Sequence, residues 1–118
     1  MIHHVQVAVP AGSEDRLREF YHGVLGWPEL AKPPLLAARG GCWFDVPGGG
    51  ELHAGVEADF RPARKAHPAF LVDLDQVVGA LEGAGCEIVW ADPAEVPGRR
   101  RLHTYDPVGN RLEFIDGP

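Results

Sequence analysis

The run Asp106-Pro107-Val108-Gly109-Asn110-Arg111-Leu112-Glu113-Phe114-Ile115 couples a tight turn to an alternating strand. Pro107 fixes φ, Gly109 supplies a positive φ, and Asp106 or Asn110 can bond the turn backbone. Beyond the turn, Leu112 and Phe114 point one way, and Arg111, Glu113 and Ile115 the other. A carboxylate set mid-strand among apolar neighbours is costly if the strand is covered, so Glu113 asks for a partner. Because Leu112 and Phe114 carry the packing, a neutral residue at 113 is expected to leave the fold intact.

Working outward, Arg100 to Tyr105 reads as the strand before the turn, with His103 and Tyr105 sharing a face. A Pro-containing loop, Asp92 to Gly98, precedes it, and Cys86 to Trp90 is another strand. Asp73-Leu74-Asp75 opens a helix carrying Val77, Val78 and Leu81, and Gly83 and Gly85 end it. His67 to Val72 is the strand that feeds this helix. The N-terminal half has the same order. Ile2 to Val9 is a strand with Val5, Val7 and Val9 on one face and His4, Gln6 and Ala8 on the other. A helix over 13–25 follows, with Ser13 as N-cap, Glu14 and Asp15 in its first turn, and an apolar face of Leu17, Phe20, Tyr21, Val24 and Leu25. Gly26 closes it. Trp27 to Leu30 is extended, Leu35 to Arg39 and Gly41 to Val46 read as strand material, Pro47 to Gly50 as a hairpin turn, and Glu51 to Glu57 as a strand. The polar stretch near 58–66 is a linker.

The order strand, helix, three strands therefore occurs twice, near 1–57 and 67–118, and such a repeat fixes the architecture. His4 matches His67, each opening an apolar strand. His53 matches Glu113, each following a Gly-containing turn. If the apolar strand faces pack under the helices, His4, His53, His67 and Glu113 lie on the opposite faces of their sheets. Should two such sheets curl toward each other, these four side chains converge. Three imidazoles and one carboxylate suit a divalent ion: Zn, Ni, Co, Fe or Mn. A single strand histidine is ordinarily a surface or hydrogen-bonded residue; repetition at matching positions singles these out. His3, His22 and His103 are read as ordinary.

The remaining composition narrows the classes. The chain has 118 residues, enough for one compact domain with a core, and a net charge of -6 that argues against nucleic acid as a partner. No apolar run is long enough for a membrane span and no signal peptide is visible, so the expected location is cytoplasmic. Cys42 and Cys86 show no zinc or disulfide spacing and are expected to be reduced.

The chain resembles the vicinal oxygen chelate superfamily, the glyoxalase, bleomycin-resistance and extradiol-dioxygenase group. The resemblance rests on Ile2-His3-His4-Val5-Gln6-Val7-Ala8-Val9, Phe20-Tyr21 with Leu25-Gly26, His67 before its strand, and Asp106 through Glu113. It implies an α+β fold of two βαβββ modules forming an open, cup-shaped mixed sheet around a metal, with helices outside. It places His4, His67 and Glu113 as metal ligands and His53 at a fourth position that is often Glu in glyoxalase I-like members. His53 is then a ligand or a catalytic residue that moves a proton or substrate. The function implied is a metal-dependent enzyme acting on a small oxygen-bearing molecule, by lyase, isomerase or dioxygenase chemistry. The alternative is a metal-free sequestration protein of the bleomycin-resistance type, with Trp43, Trp90 or Tyr105 near the cup. A homodimer is expected, both from the resemblance and because extended sheets leave edges that need cover.

Overall fold

The turn at Asp106 forms as its residues require. Asp106 Oδ1 accepts from Val108 N at 3.1 Å and Asn110 N at 2.9 Å, and Gly109, at φ 94°, donates to Asp106 O. Asp106 N donates back to Asn110 O at 2.9 Å, closing the hairpin. The computed structural model describes residues 1–117, and the chain divides into two units, Met1–Pro62 and a second beginning at Ala63.

In the second unit the hairpin joins β7 (Arg101–Tyr105) to β8 (Arg111–Asp116). With β5 (Ala69–Val72) and β6 (Val89–Trp90) they form a four-stranded sheet of order β5-β8-β7-β6. β5 runs parallel to β8, and the other pairs are antiparallel. Between β5 and β6 lies the helix α3 (Leu74–Gly83), whose Asp73 N-cap accepts from Gln76 N at 3.3 Å. Leu74, Leu81, Leu102, Leu112 and Phe114 are fully buried, and the ring of Phe70 lies 5.8 Å from that of Phe114. Strand alternation puts Glu113 and its cross-strand neighbours Ala69 and His103 on the opposite face.

In the first unit β1 (His4–Val9) pairs in parallel with β4 (Glu51–Val56). Antiparallel neighbours β3 (Cys42–Asp45) and β2 (Glu29–Leu30) complete the order β1-β4-β3-β2. A helical segment after β1 begins as α1 (Glu14–Leu17) and continues in π geometry over Arg18–Val24. The wider turn carries the i→i+5 bond from Leu25 N to Phe20 O. Leu17 and Tyr21 are fully buried, and Tyr21 packs 5.3 Å from Phe44 and 5.8 Å from Trp27. The fold class is α+β, two open four-stranded mixed sheets with few helices, each unit in the βαβββ order.

The repeat is visible in hydrogen-bond register. Val46 N donates to Gly50 O at 3.0 Å, as Asp106 N does to Asn110 O, so His53 and Glu113 stand equally far beyond their turns. Gln6 pairs with His53 and Ala69 with Glu113, which places His4 and His67 each two residues upstream of equivalent positions. Trp43 faces His53 across its hairpin as His103 faces Glu113.

Four local expectations, at Pro34–Ala37, at Ser13 and at the bounds of β5 and β6, are corrected. Pro34–Ala37 is a helical turn, α2, not strand: Pro34 sits at the helix start, and Leu35, Leu36 and Ala37 are good helix formers. Ser13 makes no side-chain cap; its Oγ donates to Pro10 O at 2.7 Å. β5 begins at Ala69, so His67 stands just before the strand, and β6 is confined to Val89–Trp90. Cys42 and Cys86 are both free, and burial pushes the Cys42 thiol up to about 11. Among the described residues no helix is long and apolar enough to cross a membrane.

Candidate metal centre

In the second unit Glu113 lies between three basic side chains. The flanking Leu112 and Phe114 bury their own side chains on the helix side, which aims the Glu113 carboxylate at the other face, where it too is buried. Arg101 Nε donates to Glu113 Oε2 at 2.9 Å. His67 Nε2 and His103 Nε2 lie 2.9 and 3.1 Å from the same oxygen, Oε1. Burial raises the Glu113 carboxyl, but the Arg101 hydrogen bond and the close approach of His67 outweigh it and hold the group below its usual range. Burial, with Arg111 adding to it, lowers His103.

His67 decides what this cluster can hold. Its Nδ1 lies 2.7 Å from Lys65 O, a carbonyl that can only accept, so Nδ1 carries a proton. In the neutral ring Nε2 is then a bare lone pair, 2.9 Å from a carboxylate oxygen. Two acceptors at that distance need a cation between them, either a second ring proton or a metal ion. An imidazole that donates its other nitrogen to a carbonyl is the usual arrangement for a metal ligand. His67, His103 and Glu113 offer ligand atoms all within 4.8 Å of one another. Two nitrogens and one oxygen are the donor set that Zn, Ni, Co, Fe or Mn accepts, so the residues fit a divalent ion.

The first unit brings the matching pair together differently. The rings of His4 and His53 stack at 3.9 Å and 10°, and Trp43 stacks on His53 at 4.0 Å and 6°. His53 is buried, and its Nε2 lies 2.8 Å from Glu51 Oε1. Burial lowers His53, opposed by Glu51, while the His53 hydrogen bond holds the Glu51 carboxyl below its usual range. His3 Nδ1 lies 2.9 Å from His4 Nδ1.

The chain matches the family model of the Glyoxalase/Bleomycin resistance protein/Dioxygenase superfamily over residues 1–114. The chain belongs to that superfamily. Its similarity to a solved glyoxalase family protein from Bacillus anthracis is 44% identity and a TM-score of 0.92, over 100% of this chain and 95% of that one. A glyoxalase/dioxygenase from Nostoc punctiforme shares 26% identity at a TM-score of 0.77, over 100% and 91%. The fosfomycin resistance protein FosX of Listeria monocytogenes shares the fold, at 16% identity and a TM-score of 0.73, over 98% and 91%. No curated protein matches the chain at a significant level.

The structure thus brings His67 to Glu113, and His4 to His53, each pair within its own unit. It adds His103, which sequence patterning left as ordinary. The missed signal was countable. Once Asp106 and Asn110 close the hairpin, pairing outward gives Tyr105 with Arg111 and His103 with Glu113. His22 Nδ1 bonds Trp27 O at 2.9 Å.

Proposed function

We propose that this protein is a metal-dependent enzyme acting on a small oxygen-bearing molecule. Its proposed ligands are His67 and Glu113, with His103 as a further donor, His4 as the ligand expected from the repeat, and His53 as fourth ligand or proton carrier. The observation that carries the reading is the 2.9 Å approach of His67 Nε2 to Glu113 Oε1, with Nδ1 fixed on Lys65 O, which leaves a place for a cation between them. When bound, a divalent ion supplies Lewis acidity toward two neighbouring substrate oxygens. The chain's own groups do the rest. Arg101 fixes Glu113 through Oε2, leaving Oε1 for ligation. The 2.8 Å contact between His53 Nε2 and Glu51 can hold a proton at Nε2.

The test is metal content of the chain purified without a tag, followed by titration. About one divalent ion per chain is expected, with affinity reduced at least roughly tenfold in His67→Ala. His4→Ala should weaken it too; unchanged affinity in that variant would confine the site to the C-terminal unit. A second reading is favoured by the Arg101 guanidinium, which already gives Glu113 a partner cation: a metal-free binder that sequesters a small molecule. Failure of the chain to take up any of the five metals would sink the enzyme reading and leave that one.

We also propose a homodimer. The second unit exposes Leu71, Val89, Trp90 and Tyr105, each more than 40% accessible, and both sheets have open edge strands. Light scattering should give twice the 12.8 kDa chain mass. A single-chain mass across micromolar concentrations would refute it.

A further inference from the structure

Beside the first sheet is a pocket of about 250 Å³ whose lining includes Gln6, Lys32, Leu36, Arg39, Trp43 and Gly55. None of its lining residues is acidic, although the chain as a whole carries a charge of -6. Lys32 is half-buried. Its ammonium donates to Gly40 O and stands 6.0 Å from the centre of the Trp43 ring. Among the described residues neither Lys32 nor Arg39 belongs to an ion pair. Glu14 Oε2 accepts from Gly41 N, next to the lining residue Gly40, at 2.9 Å. Gln6 packs closely on Gly55 within this lining: a Cβ at Gly55 would lie 2.8 Å from Gln6 Nε2. The same Trp43 indole stacks on His53, so the pocket wall and the first unit's histidines are continuous.

We propose that this pocket takes a small anion with a flat, unsaturated body, its oxyanion held by Lys32 and Arg39 and its flat part against Trp43. Two cations without carboxylate partners form a site for negative charge, and a half-buried ammonium is screened less than a surface one. His53 covers one face of the indole, and the part of Trp43 that lines the pocket gives a planar group apolar aromatic surface. The substrate of the enzyme proposed above is then an anionic molecule of this class; that extension rests on the pocket belonging to its substrate site.

The test uses benzoate and its neutral isostere benzamide, each titrated into the ¹⁵N-labelled full chain and followed by amide and indole resonances. Benzoate should move the Trp43 indole N–H and the amides of Gly40, Gly41 and Gly55. Benzamide should bind at least about tenfold more weakly, and Lys32→Met with Arg39→Gln should cost benzoate at least about tenfold while spectral dispersion is retained. The exposed Arg39→Gln alone should weaken benzoate with no risk to folding. Equal binding of benzamide, unchanged affinity in the variants, no benzoate response, or shifts confined to the surroundings of Glu113 would each overturn the proposal. Metal content measured on the same samples separates the two readings. A chain that takes up no metal but binds benzoate at Trp43 keeps this inference and loses the metal centre. A metal-loaded chain whose Trp43 ignores benzoate does the reverse.

Discussion

Replacing Glu113 with Gln is expected to weaken divalent-metal binding by roughly 100-fold or more and to destabilise the second unit. The amide matches the carboxylate in shape but removes the negative charge that offsets a cation. Its nitrogen is a donor where Glu113 now offers only acceptors, so the amide cannot both accept from Arg101 at one position and, at the other, give an oxygen to a cation that two imidazoles share. Sequence patterning alone suggests an intact fold, since Leu112 and Phe114 keep their packing. The structure changes that expectation. Glu113 is buried, and Arg101, largely buried itself, would lose its counter-ion. Among the described residues Arg101 Nη1 already has no hydrogen-bond partner, and Glu95 Oε1 stands 3.9 Å from it. Removing one member of such a pair costs more than removing both. Glu113→Gln with Arg101→Met should therefore regain stability without regaining metal affinity. Calorimetric metal titration and thermal unfolding of both variants give the two readouts. Wild-type metal affinity in Glu113→Gln would remove Glu113 from the ligand set.

The legible features were those set by period and turn chemistry. Asp106 and Gly109 specify their turn locally, and the alternation after it assigns Leu112, Glu113 and Phe114 to faces without reference to the rest of the chain. The repeat was legible for the same reason, because His53 and Glu113 are each counted from a turn. Leu35 to Arg39 misled because a short apolar run carries no period of its own, and Pro34 at its start favours a helical turn. The π geometry over Arg18–Val24 had no signature at all, since the apolar face of Leu17, Phe20 and Tyr21 suits either helix. His103 was hidden by a different limit. It shares a face with Tyr105, but the direction of that face and its partner depend on cross-strand register, which needs the closing bond of the turn. Charge alone offers Glu113 either Arg101 or Arg111 as a partner, and the structure selects Arg101.

Gly41→Ala is expected to cost far more than Gly12→Ala, although both glycines have the same left-handed backbone, φ +80° and +79°. A side chain in that conformation costs roughly 1–2 kcal/mol by itself, which is the whole expected loss at Gly12, where a Cβ meets nothing within 4 Å. At Gly41 the Cβ would lie 2.0 Å from Ala54 O. That oxygen belongs to the backbone of β4, whose Ala54 faces Cys42 in the β3–β4 register, so no side-chain rotation relieves the clash. Either β3 shifts along β4 or the Gly40–Gly41 bend opens. The total expected loss is roughly 2–5 kcal/mol, adding overpacking to the conformational cost. The displacement would also reach function, because Gly40 O anchors the Lys32 ammonium and β3 carries Trp43, which packs on His53. Urea denaturation of the two variants, compared with wild type, measures the difference. Equal losses would mean that the close approach of Gly41 to Ala54 is not what demands glycine there.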